Sequence, residues 1–113
     1  MIFCKNKKDE RDISRLDTRL RVILSVYEFL AWTLYGDDVV ITSIYRNDQS
    51  THNSPPPYRF LDIGILEKGK EKGSRHIADV INVAFPYGKP GYITALVHGG
   101  TALHTHLQQK LGD

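Results

Sequence analysis

From residue 12 to residue 35 the apolar side chains return at helical spacing: Ile13, Leu16, Leu20, Ile23, Leu24, Tyr27, Leu30 and Leu34. Arg15, Arg19, Arg21 and Glu28 fall mainly on the opposite side, and Gly36 stands where a left-handed helix end is expected. The run predicts one amphipathic helix over 12–35, with Tyr27, Phe29 and Trp32 as core aromatics. Ser25 and Glu28 interrupt its apolar stretch, so no membrane span is expected. A chain committed to one such helix must bury its stripe against other elements, and the rest of the sequence supplies them.

Residues 38–45, Asp-Val-Val-Ile-Thr-Ser-Ile-Tyr, are rich in β-branched side chains and predict a strand. Residues 46–58 carry Asn, Asp, Ser and the triple proline Pro55-Pro56-Pro57, which predict a loop. A second strand is expected over 58–65. Residues 69–73 look turn-like, and Ser74 is expected to cap a helix reaching Ala84, with Ile77, Val80, Ile81 and Ala84 on one face. Pro86, Gly88, Pro90 and Gly91 end it. Two short strands, over 92–97 and 102–108, flank Gly99-Gly100 as a hairpin. The order helix, strand, strand, helix, strand, strand predicts an α+β fold: a small antiparallel sheet of about four strands packed against two helices. The 113 residues suit a single domain over 1–113.

Composition narrows the partners. A net charge of +2 and the lack of a basic stripe with interleaved aromatics argue against nucleic acid. Lys5, Lys7 and Lys8, followed by Asp9 and Glu10, read as a frayed, solvated end. The single cysteine, Cys4, allows neither an intrachain disulfide nor a thiolate metal cluster. It fits synthesis in a reducing compartment, the cytoplasm, and the charged first residues do not resemble a signal peptide.

The chemistry-bearing residues are the five histidines, His52, His76, His98, His104 and His106, with Asp62 in an apolar segment. In a strand, His104 and His106 project to one side and Thr105 to the other. An isolated carboxylate among Phe60, Leu61, Ile63 and Ile65 is costly to bury unless its charge is compensated. A metal ion would do so; so would a backbone N–H or an arginine such as Arg59. A catalytic zinc site takes three protein ligands and keeps a fourth position open. His52, Asp62 and one histidine of the terminal pair form such a donor set. His76 reads as a surface residue, and Asp37-Asp38 as turn chemistry.

Four blocks occur in order: Ser43-Ile44-Tyr45-Arg46, Ser50-Thr51-His52, Arg59-Phe60-Leu61-Asp62-Ile63 and His104-Thr105-His106. The set resembles the zinc peptidases that include D-alanyl-D-alanine carboxypeptidases, phage endolysins and the hedgehog signalling domain. The resemblance implies Zn2+ bound by His52, Asp62 and His106. It implies Arg46 as the cation that steadies the substrate carbonyl or developing oxyanion, and His104 as the non-ligand histidine that stabilises the intermediate or shuttles a proton. Arg59 would fix local structure. The implied substrate is a peptide or peptidoglycan fragment, cut in its stem peptides or crosslinks by metal-activated water. A phage-encoded protein reaching the cell wall after release or delivery fits the same pattern.

Two departures stand out. Nine residues separate His52 from Asp62, a longer spacer than is usual in that family; loop closure depends only logarithmically on length, so the cost is small. Relatives often carry a Glu, Asp or His shortly before the terminal pair as general base. Here His98 is the only titratable residue over 96–103, and an unperturbed imidazole pKa of about 6.5 suits the task. If the hairpin turn has two residues and His98 pairs with Thr101, His98 faces away from the pair. A longer or bulged turn brings it to their side. The alternative function is a non-catalytic zinc-containing module that holds a peptide or partner, or a virion component whose metal stabilises the fold.

Overall fold

The computed structural model describes residues 2–44, 60–65, 70–98 and 104–108. The elements run β1 (Ile2–Cys4), α1 (Lys7–Asp12), a 3₁₀ turn (Ile13–Arg15), α2 (Thr18–Tyr35), β2 (Val39–Ile44), β3 (Phe60–Ile65), α3 (Lys70–Ala84), β4 (Ala95–His98) and β5 (His104–Gln108). The five strands form one sheet in the order β1-β2-β3-β5-β4. β1 and β2 are parallel; the other neighbours are antiparallel. The fold is α+β, and the sheet is mixed rather than purely antiparallel; the described residues form five strands and three helices where about four and two were expected.

The differences have local causes. The N-terminal segment is not a frayed end. Ile2, Phe3 and Cys4 pair with Val39, Val40 and Ile41, and Lys5 donates its amide to the Ile41 carbonyl at 2.9 Å. The long helix expected over 12–35 breaks at Leu16, whose backbone is extended. Asp17 then caps α2, its Oδ1 accepting the amides of Arg19 at 2.9 Å and Leu20 at 3.3 Å. A carboxylate that takes two helix-start amides stabilises a start at Thr18 by about 1 kcal/mol over Ala. Gly36 ends α2 with φ of 66°, as its position predicts, and donates its amide to the Trp32 carbonyl at 2.9 Å. α3 begins at Lys70, four residues before Ser74, which is buried inside the helix and caps nothing. β4 starts at Ala95, later than expected.

One layer of core lies between the sheet and the pair α2 and α3. Leu20, Ile23, Leu24, Tyr27 and Ala31 from α2 and Ile77, Ala78 and Ile81 from α3 are buried against Val39, Ile41, Ile44, Leu61, Ile63 and Leu107. Phe29 and Trp32 do not join it: they are 63% and 59% exposed. A stripe wide enough to hold Tyr27 and Ala31 turns positions 29 and 32 outward. Among the described residues, no helix is long and apolar enough to cross a membrane.

A bulge on β2 sets which residues face which way. Ile41 pairs with Ile63, Ser43 with Asp62 and Ile44 with Leu61, so Thr42 is the extra residue. Its hydroxyl donates to the Asp62 carbonyl at 3.3 Å. The bulge keeps Ile44 in the core and sets Ser43 beside Asp62 on the sheet face opposite the helices.

Candidate metal centre

Asp62 reaches its position because its neighbours are core residues. Leu61 and Ile63 are fully buried toward the helices, so the pleat turns Asp62 to the other face. In β5, Thr105 and Leu107 are likewise buried toward the helices, which turns His104 and His106 to the face of Asp62. The register between β3 and β5 pairs Asp62 directly with His106. Nδ1 of His106 lies 3.0 Å from Oδ1 of Asp62, and both residues are buried. Since a carboxylate only accepts, the ring nitrogen donates. The compensation that a buried carboxylate requires is supplied here by imidazole.

β4 completes the cluster. His98 pairs with His104 and Leu96 with His106, so His98 stands on the same face as both histidines of β5. The His98 and His104 rings stack with centroids 4.9 Å apart, and the His98 and His106 rings meet edge-on at 6.2 Å. Since His98 pairs with His104, the alternative register that pairs it with Thr101 and turns it away from the two histidines is not formed. The Gly99-Gly100 turn itself lies outside the described residues.

Two polar anchors hold these strands. The Tyr27 hydroxyl is 3.3 Å from that of Thr105, the residue between the two histidines. It also bonds the Ser74 side chain, and burial pushes its phenol pKa up. Asn82 of α3 clamps the first residue of β4: its Nδ2 donates to the Ala95 carbonyl and its Oδ1 accepts the Ala95 amide, each at 2.8 Å. Sequence reasoning missed both anchors. The signal for the first was Tyr27 itself, since a phenol on a core stripe must find a partner. His76 is exposed as expected, with Nδ1 2.6 Å from the Tyr35 hydroxyl.

Of the expected site residues, Asp62, His98, His104 and His106 come together. His52 and Arg46 lie outside the described residues, as do Arg59 and the triple proline. Among the described residues no group of three or more His, Cys, Asp or Glu side chains is arranged to hold a metal ion. The donor chemistry of Asp62 and His106 nevertheless fits zinc. In this structure the two side chains hold each other through a hydrogen bond; a bound metal would take the place of the proton that Nδ1 donates. No protein-family model matches the chain, and no curated protein matches it in sequence.

Proposed function

We propose that this chain is a zinc-dependent hydrolase of peptide (amide) bonds, acting on peptidoglycan stem peptides or crosslinks. The observation that carries the reading is the direct cross-strand pairing of Asp62 with His106, ligand-type atoms 3.0 Å apart on the sheet face that also bears His98 and His104. The ordered likeness of four sequence blocks to the zinc D-alanyl-D-alanine peptidases supports it.

In this reading Asp62, His106 and His52 would hold zinc, which would lower the pKa of a bound water and polarise the scissile carbonyl. The protein's own groups divide the remaining work. His98 stands beside His104 and His106, where it accepts the proton released by the attacking water and returns it to the leaving amine. His104, stacked on His98, donates to the developing oxyanion or passes the proton on. Arg46, in the role the sequence likeness implies, would add positive charge to the same oxygen. The Thr105 anchor in the core keeps the two flanking histidines on one face of the sheet.

Elemental analysis tests the metal. Purified protein should carry stoichiometric zinc, and His52→Ala, Asp62→Ala and His106→Ala should each lose it. Hydrolysis of peptidoglycan fragments tests the reaction: His98→Ala and His104→Ala should retain zinc and lose turnover. Wild-type protein free of bound metal after purification with zinc present would refute the reading. Full zinc occupancy with no turnover selects the non-catalytic binding module instead.

A further inference from the structure

Helix α2 is apolar on two sides. Its inner stripe fills the core, yet Val22, Phe29 and Trp32 are exposed on the outside, next to exposed Phe3 of the edge strand β1. These residues line two adjoining grooves. One, of about 570 Å³, is walled by Ile2, Val22, Val26 and Phe29 and includes Arg21. The other, of about 460 Å³, is walled by Phe3, Phe29 and Trp32 and includes Glu28 and Asp38. Phe29 is common to both. A helix with apolar side chains on opposite faces buries both when it has a partner.

The charge pattern states which partner. The apolar patch is basic at the end holding Arg21 and acidic at the end holding Glu28 and Asp38. Such a face complements a copy of itself turned end for end. A two-fold axis crossing α2 near Ser25 superposes position 22 of one copy on position 29 of the other and brings position 21 near position 28. Phe29 of each copy then covers Val22 and Val26 of its mate, while Arg21 meets Glu28. Two-fold contacts use the same patch twice, so a self-complementary face is the requirement they impose. An 18-residue helix is about 27 Å long, which gives the antiparallel pair room for all these contacts. We propose that the outer face of α2 is a homodimer interface in which two copies pack α2 against α2 in antiparallel order. It lies on the helix side of the sheet, away from Asp62 and His106, and is independent of the function proposed above.

Trp32 is the only tryptophan in the chain, so its fluorescence reports on this face alone. In the full-length protein, sedimentation velocity from low micromolar to millimolar concentration should show monomer giving way to dimer. The Trp32 emission should shift to shorter wavelength over the same range. Arg21→Glu and Glu28→Arg should each weaken association by about tenfold or more through like-charge contact, and the double variant should restore it, because each copy then offers the exchanged pair. Phe29→Glu, at an exposed position that leaves folding intact by circular dichroism, should be monomeric throughout. A wild-type chain that stays monomeric to millimolar concentration overturns the proposal. So does a dimer indifferent to Phe29→Glu, or one that the double charge exchange does not restore.

Discussion

Tyr27, near the middle of α2, and Thr105, between the two histidines of β5, share a hydroxyl contact of 3.3 Å inside the closed core. The contact ties the helix layer to the strand that carries half of the candidate metal centre. Thr105 is the inward residue of β5 at that level, so holding it also holds the outward direction of His104 and His106.

Tyr27→Phe keeps the ring packing and removes the hydroxyl. It should lower unfolding free energy by about 1–3 kcal/mol, because polar groups at Thr105 and Ser74 lose a buried partner. Thr105→Val should cost a similar amount. The double variant should cost less than the two added together, since both sides of the contact are then apolar. Urea denaturation of the four proteins measures the coupling; strictly additive losses would show that the hydroxyls do not interact.

Asn82→Ala removes both bonds to Ala95. A loss of about 2 kcal/mol is expected, with faster amide exchange at Ala95 and along β4 as its edge loosens. Asn82→Asp should also destabilise at neutral pH, because a carboxylate can accept the Ala95 amide but repels the Ala95 carbonyl. Hydrogen exchange followed by NMR distinguishes a local loosening of β4 from a global loss. Unchanged protection at Ala95 in Asn82→Ala would show that the clamp contributes nothing.

Asp9 predicts a pH dependence. Its pKa is raised by burial, against hydrogen bonds from the Asn6 side chain and the Ile44 amide that lower it, with nearby Asp12 raising it further. A carboxyl whose folded pKa exceeds its unfolded value binds its proton more tightly when folded. Its contribution is fully present below the ordinary aspartate pKa of about 3.9 and is lost as pH rises through the raised value. Asp9→Asn keeps an acceptor for the Ile44 amide and removes the ionisation. The variant should therefore be more stable than wild type at neutral pH, with the advantage shrinking as the buffer is made acidic. Thermal melts at a series of pH values check the sign; an advantage that grew toward acid would reverse it.

Several of these features were legible in the residues and others were not. Asp17-Thr18 carried a helix-start signal as strong as any in the chain, but the apolar period runs through it from Ile13 and Leu16 and so conceals the break. The β2 bulge was visible in principle. Val39 and Ile41 alternate inward, then a serine falls where the next apolar residue belongs and Ile44 follows one place late. Phe29 and Trp32 misled for the opposite reason: side-chain type suggested core, whereas position around the helix put them outside.

Periodicity and turn chemistry are local properties, carried by neighbours within a few residues. They placed the C-terminal stop of α2 at Gly36, the existence of four of the strands, and the shared face of His104 and His106. Register between distant strands is not local. Nothing near Asp62 states that it will pair with His106 instead of a neighbour one place away, and nothing near His98 states that it will pair with His104. Those choices follow from burying Leu61, Ile63, Thr105 and Leu107 against one pair of helices, because a one-residue slip would exchange the core-facing and outward-facing side chains along the whole strand.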